Sequence, residues 1–450
     1  MKSSRNASAP AARPRRAGLL VLLACWAAIV ADGYDVVVYG AILPSLLQEP
    51  SWGLTPGLAG LLGSAPLVGM FFGSLIGGTI ADRVGRRRLL VACVVWFSLL
   101  TAACALVDSP LTFALLRFLA GLGLGGVLPV ASAITAEFLP ARYRNLVYAV
   151  MFSGFPIGGI AAALLGIAVI PTFGWRAMFV LALVPALVVV PLVLRHVPES
   201  VGVLRRRGDD AQADAVALRF GLAVQPVATA SAGSAAEPAS ALSLFTGRRA
   251  VATACFLVTS FLCLFMIYGV NTWLPQIMRQ AGFSLGGALS FLFAFNIGAV
   301  VGTILVALIA DRLGSRGVLI GTFTLGALCV LGMSLNPPSA VMYVLIGLTG
   351  IGTIGSQAFI LALVSKTYPA TIAAPAMGWT LGVGRLGSVA APIALGLLIG
   401  AGAGIGNSFL ALAGAGLAAA VLTLLIPRRI TADDRRPALD QTGQANKPVT

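Results

Sequence analysis

Ile80-Ala81-Asp82-Arg83-Val84-Gly85-Arg86-Arg87 recurs as Ile309-Ala310-Asp311-Arg312-Leu313-Gly314-Ser315-Arg316. Each copy closes a long apolar run, the second and the eighth of twelve. An acid, a glycine turn and arginines at a helix end can clamp neighbouring helix ends by charge-assisted hydrogen bonds. Such a clamp can form in one conformation and break in another. The same residues could also act only as a positive anchor at a membrane face. The duplication divides the chain into two related halves, and related halves with a site between them are a transporter signature.

The rest of the chain fits that frame. It has 450 residues, of which 58% are hydrophobic and only 10% charged, with a mean hydropathy of +0.96. A soluble protein of this size could not hide so much apolar surface, and a membrane span needs roughly 20 apolar residues. The runs that qualify are 18–47, 57–81, 88–107, 111–138, 145–170, 175–195, 250–278, 284–310, 317–335, 339–365, 371–400 and 405–427. This pattern predicts an all-α membrane protein with two six-helix halves, 18–195 and 250–427. Residues 1–17, 196–249 and 428–450 read as an N-terminal tail, a central loop and a C-terminal tail. The loop is expected to hold a short surface helix over 209–220 and a flexible linker over 224–241.

The net charge of +15 does not point to nucleic acid, because the cations alternate with the spans. Arg117 and Arg385 lie inside runs, and Arg176 and Arg279 lie in loops on one side. The rest fall in the termini and the alternate loops, among them Arg83, Arg86–Arg88, Arg142, Arg144, Arg205–Arg207, Arg312, Arg316 and Lys366. That is the positive-inside pattern, and it predicts a multi-pass inner-membrane protein with both termini in the cytoplasm. The basic start and Leu19–Ala28 resemble a signal peptide, but the run continues to Leu47, too long for a signal core. The six cysteines fall in apolar runs without CxxC spacing, as small buried hydrophobes do.

Other motifs carry little chemistry. Gly121, Gly123 and Gly126 fit GxGxxG, yet they lie in an apolar run where close helix packing explains them better than a dinucleotide. No Walker motif argues for ATP, and no metal or cofactor is expected. The only histidine, His196, reads as a bystander at the end of the sixth run.

Asp32 and Asp35 are acids within an apolar stretch. A carboxylate at membrane depth is costly and marks a functional site, and three residues apart on a helix they share one face. Rise per residue puts Asp32 near the middle of the first run and Arg385 near the middle of the eleventh. Arg385 could hold Asp32 or Asp35 in the empty protein and a substrate carboxylate in the loaded one, although a permanent structural ion pair is the competing reading. Arg117 could meet Asp35 or pack helices. Glu137, close to Arg142 and Arg144, reads as gate wiring together with Gly78, Asp82, Arg83, Gly85, Arg86, Arg87, Asp311, Arg312 and Gly314. Tyr34, Tyr39, Tyr268, Asn271, Trp273, Phe295, Asn296, Gln357 and Trp379 are candidate pocket-lining residues, with Trp273 alternatively an interface anchor.

The stretch Gly77-Gly78-Thr79-Ile80-Ala81-Asp82-Arg83-Val84-Gly85-Arg86-Arg87-Arg88 resembles the loop 2–3 signature of the major facilitator superfamily. Asp32-Gly33-Tyr34-Asp35, the region from Arg117 to Arg144, and Gly378–Ser388 are similar to the aromatic acid:proton symporter family. Tyr268–Pro275 looks like the benzoate and hydroxybenzoate carriers. The resemblance covers the whole transmembrane core. It implies alternating access, import of a small aromatic acid with protons, and no ATP, with a monomer in the bilayer expected. Another organic anion, or proton-driven export, is the alternative. Two departures stand out. The Tyr368-Pro369 pair lacks the arginine that commonly follows it, and the second gating loop carries Ser315 and Gly317 around a single Arg316.

Overall fold

The computed structural model describes residues 13–139, 144–222 and 244–427. Among the described residues, twelve helices are long and apolar enough to cross a membrane. We label them α1 (Arg16–Leu46), α2 (Pro56–Ala81), α3 (Arg86–Leu106), α4 (Pro110–Phe138), α5 (Ala149–Phe173), α6 (Arg176–His196), α7 (Arg249–Gln280), α8 (Leu285–Val306), α9 (Gly314–Met333), α10 (Ser339–Thr367), α11 (Ile372–Gly400) and α12 (Ile405–Leu425). Helical backbone reaches back to Arg13, so the first helix takes in arginines that the sequence reading left in the tail. The apolar window of α1 is 78% buried within the protein and that of α6 only 28%. α1 is therefore central and α6 lies at the rim.

Local chemistry sets the helix ends. Thr55 accepts a hydrogen bond from the Leu58 amide at 3.3 Å ahead of Pro56, and Ser284 accepts one from Gly287 at 3.1 Å. Both are N-caps that satisfy otherwise orphan donors. Gly85 at φ 102° and Gly314 at φ 78° turn α2 into α3 and α8 into α9. A side chain is strained at such angles and glycine is not, which gives the repeated glycine its physical reason.

Within the first half α1 packs on α5, α2 on α4, and α3 on α4 and α6. In the second half α7 packs on α11 and α12, and α8 on α10. The halves meet through α2 with α11, α5 with α8, and α1 with α7. The repeat extends well beyond its motif at constant spacing. Gly69 and Gly73 of α2 lie against the α4 backbone at Phe118 to Leu122. Gly298 and Gly302 of α8 lie against the α10 backbone at Gly347 and Ile351. Small residues let helices approach where lipid supplies no hydrophobic drive for association.

The halves touch closely at the end that lacks arginine clusters. Gly60 meets the Pro392 carbonyl, Gly396 meets Pro56, and Ser64 donates to the Val389 carbonyl at 2.7 Å. Toward the arginine-rich end Gly78 of α2 and Gly378 and Gly382 of α11 have no such neighbour. α2 and α11 therefore diverge toward that end.

After α6 the chain forms Val201–Arg206 and then Asp210–Phe220. The second matches the expected surface helix, and the first was not expected. Asp209 caps the second by accepting from the Gln212 amide at 3.3 Å, and Gly221 in the left-handed region ends it. The expected linker over 224–241 and the tail over 428–450 lie outside the described residues.

Candidate functional site

A cavity of about 120 Å³ lies between the halves at mid-depth. One water needs roughly 10–15 Å³, so there is room for a small molecule. The walls are Ile29, Met70, Leu128, Phe152 and Phe155 from the first half and Leu264, Ile267, Ile354, Leu361 and Leu381 from the second. Four polar side chains enter it: Asp32 from α1, Tyr268 from α7, Gln357 from α10 and Arg385 from α11. Among the described residues none of the four side chains hydrogen-bonds to another protein group. Oδ1 of Asp32 and Oε1 of Gln357 are buried without partners, and the ion pairs present do not include Arg385. Buried polar groups are normally satisfied, so two buried oxygens without partners, Asp32 Oδ1 and Gln357 Oε1, in one cavity with Tyr268 and Arg385 are what a binding site for a polar ligand looks like.

Asp35 has a different place. Three residues from Asp32 along α1, it turns out of the cavity toward α3 and α4. Arg117 Nη1 donates to Asp35 Oδ1 at 2.5 Å and Nη2 to the Asp35 carbonyl at 2.9 Å. Thr101 Oγ1 donates to Asp35 Oδ2. Arg117 Nη1 also reaches Thr101 Oγ1 at 3.3 Å, and the Phe179 ring lies 5.8 Å from the guanidinium carbon. Both charged side chains are fully buried. The shared face expected for the two acids is thus divided, with one carboxylate open to the cavity and the other locked in a sealed triad. Arg117 pairs with Asp35 and does not line the cavity.

Gly33 explains the element between the acids. A Cβ there would collide with the Phe155 carbonyl of α5, so the glycine lets α1 and α5 approach beside the cavity. Tyr34 faces away and donates to the Met178 carbonyl at 2.7 Å.

Several expected lining residues do not line the cavity. Trp273 is fully buried and donates to the Pro392 carbonyl at 3.0 Å, which makes it neither a lining residue nor an interface anchor. Asn271 and Asn296 bond to the Ile267 and Leu292 carbonyls of their own helices at 2.9 Å, and to each other at 3.4 Å. Trp379 is 46% exposed and packs edge-on against Phe245. Tyr39 donates to the Ala59 carbonyl at 2.6 Å, and Phe295 borders a separate apolar void with Val270 and Ile346. The sequence identified aromatic and amide residues by type, but which way each points depends on helix rotation, and the helices are apolar all round.

At the arginine-rich end of the first half, Arg86 donates to Glu137 Oε2 at 2.8 Å. Glu137 Oε1 accepts from Ser200 Oγ and from the Val201 amide, both at 2.9 Å. Glu199 accepts from the Arg87 amide at 3.2 Å at the start of α3, and Arg87 donates to the Leu194 carbonyl of α6. Gly85 is packed against the Glu199 carboxylate. Arg83 and Gly78 are exposed. Arg142 and the side chains of Asp82, Arg144, Asp311 and Arg312 lie outside the described residues. Thr101, Glu199 and Ser200 were missed by the sequence reading. Of these only Glu199 carried a signal there, as an acid just past the end of an apolar run.

Two pseudo-symmetric six-helix halves around a polar cavity at mid-depth define a secondary-carrier architecture. The chain belongs to the Major Facilitator Superfamily, whose family model matches residues 25–335 and 289–449. It is similar to the benzoate transport protein of Acinetobacter baylyi, 37% identical over 82% of this chain and 81% of that protein. It is 34% identical to the gentisate transporter of Corynebacterium glutamicum over 91% and 88% of the two chains. It is 33% identical to the 4-hydroxybenzoate transporter PcaK of Pseudomonas aeruginosa over 85% of each. Among solved structures, the xylose transporter XylE from E. coli in a partially occluded inward-open conformation superposes with a TM-score of 0.73. That match covers 91% of this chain and 98% of the other at 18% identity, and it bears on the fold alone.

Proposed function

We propose that the protein imports a small aromatic carboxylate together with protons by alternating access. The carrying observation is the cavity in which Asp32 Oδ1 and Gln357 Oε1 are buried without partners beside Tyr268 and Arg385. Arg385 offers a planar fork suited to a carboxylate. Phe152, Phe155 and the aliphatic walls suit a ring. The relatives named for benzoate, gentisate and 4-hydroxybenzoate support the same class of cargo.

Asp32 is the group we assign to the proton. A substrate carboxylate on Arg385 neutralises the nearest cation and leaves Asp32 as an uncompensated charge in a buried site. Such a charge is costly, and a proton removes the cost. Substrate and proton thus favour each other's binding, and by linkage the coupling is reciprocal. The sealed Asp35–Arg117–Thr101 triad we assign to holding α1, α3 and α4 as one body while the halves move. The arginine distribution supports cytoplasmic termini, the bacterial relatives support an inner-membrane location, and we take the protein to work as a monomer. The proton gradient would drive it, without ATP or any cofactor.

The test is uptake of radiolabelled benzoate and hydroxybenzoates into energised membrane vesicles, with and without an uncoupler. Accumulation of one acid that collapses with the uncoupler is expected, and Asp32→Asn should abolish accumulation while leaving exchange of bound substrate measurable. Passive, uncoupler-insensitive flux, or undiminished accumulation by Asp32→Asn, would overturn the assignment.

A further inference from the structure

We propose that Gln357 reads a hydroxyl group on the substrate ring, so that the cavity takes hydroxylated aromatic carboxylates in preference to the unsubstituted acid. This rests on the proposed function above and adds a specificity-determining residue to it. Gln357 sits on the cavity face of α10 between Ile354 and Leu361, at the spacing that aligns side chains on one helical stripe. Its neighbours on that stripe are apolar, so the amide is the single polar group that α10 presents.

Among the described residues its amide makes no protein hydrogen bond through either atom, whereas Asn296, whose Oδ1 is likewise buried without a partner, is held through its nitrogen. Asn271 and Asn296 each donate to the carbonyl four residues back in their own helix. The hydroxyls of Thr353 and Ser356 on the same helix do likewise. Gln357 makes no such bond, and its Oε1 is buried without a partner. The backbone beneath it is tied to α9, because Ser356 Oγ and Thr322 Oγ1 lie in hydrogen-bond contact at 2.8 Å. The amide is thus presented into the cavity from a fixed position.

Supply and demand in the cavity identify the ligand group. A carboxylate carries only acceptors, and Arg385 is the donor that matches them. An unsubstituted ring has nothing to offer Gln357 Oε1. A ring hydroxyl can donate to that oxygen, and it can accept from the amide nitrogen if the side chain turns over. A methoxy group of similar size can only accept. A site built to bond a hydroxyl discriminates against the analogue lacking it, because the site's own polar group is then left unpaired.

The experiment is calorimetric titration of the purified full-length protein with benzoate, the three hydroxybenzoate isomers and 4-methoxybenzoate, followed by the same series on Gln357→Met. At least one hydroxy isomer should bind about tenfold tighter than benzoate, and the methoxy acid no tighter than benzoate. Gln357→Met should lose the hydroxyl preference, so that benzoate and the hydroxy isomers bind alike. Gln357→Leu serves if the methionine variant does not fold. Equal wild-type affinities for benzoate and every hydroxy isomer would overturn the inference, as would a preference that survives in the variant. No binding of any aromatic carboxylate to the wild type would instead overturn the functional reading on which it stands.

Discussion

The two halves share a scaffold and differ in what ties it together. In both, a glycine at positive φ turns the second helix into the third. In both, an arginine two residues on reaches a carbonyl near the end of the half's sixth helix: Arg87 to Leu194 and Arg316 to Leu424. There the likeness in chemistry ends. Arg86 forms an ion pair with Glu137 at 2.8 Å. At the matching positions Ser315 accepts a hydrogen bond from Lys366 at 3.1 Å. Deeper in the membrane, Arg117 of α4 pairs with Asp35, whereas Ile346, at the matching position of α10, is simply buried. Duplication kept what backbone geometry demands, the glycine turn and the bond to a helix end. Side-chain charge was free to diverge, and among the described residues the membrane helices are tied by ion pairs in the first half only, at the arginine-rich end, within the membrane and at the opposite end.

The largest effect should come from making the first half resemble the second. Arg117→Leu leaves Asp35 buried without its cation, and breaking a buried pair in this way costs about 3–5 kcal/mol. The detergent-solubilised variant should melt far below wild type or fail to fold. Asp35→Leu combined with Arg117→Leu should recover much of the loss, because replacing both partners leaves no stranded charge. A double variant as unstable as the single would mean that the triad does more than satisfy its own charges. Stability is read by thermal unfolding followed by tryptophan fluorescence or light scattering.

A smaller effect is expected at the gate corner. Glu137 is an acceptor for three donors from α3 and the segment after α6, and both members of its pair are partly exposed. Glu137→Ala should therefore cost about 1–3 kcal/mol, less than the buried pair. The reverse graft, Ser315→Arg with Lys366→Glu, installs the first half's pair in the second and should gain about 0.2–1 kcal/mol. Ser315→Arg alone faces Lys366 with a second cation and should lose stability. If the graft gains nothing while the single variant loses nothing, the two corners are not equivalent in space despite their common spacing.

These contrasts also show what the sequence could reveal. The repeat, the twelve spans and the glycine turns were legible because each follows from one local requirement: apolar length, small size or positive φ. Asp32 and Arg385 were legible as polar residues at mid-depth, where cost alone singles them out. The divergence of Asp35 from Asp32 was not. It depends on Thr101 and Arg117 arriving from two other helices, and Thr101 is an ordinary residue in an apolar run. The fate of Trp273, Asn271 and Trp379 was equally hidden, since a helix that is apolar on every side gives no moment to fix its rotation.

The end of the molecule away from the arginine clusters repeats the contrast at its weakest. In the first half Trp175 Nε1 donates to Glu49 Oε2 at 3.1 Å, and Arg176 pairs with Asp108 at 2.6 Å. At the matching positions the second half has Gly404 and Ile405, neither of which can make such a contact. The Trp175 hydrogen bond, chiefly, holds the Glu49 carboxyl below its ordinary value of 4.5. A carboxyl depressed on folding contributes stability above its unfolded pKa and loses it as pH falls through the folded value. The contribution of Glu49 should therefore be complete at neutral pH and be lost as pH falls below its ordinary value of 4.5. Trp175→Phe keeps the ring packing against Trp52 and Phe179 but removes the donor. Its melting temperature should fall slightly below wild type at pH 7, and the gap should close on acidification. A gap of the same size at pH 7 and at pH 3.5 would assign the loss to packing and remove Glu49 from the account of the first half's charged ties.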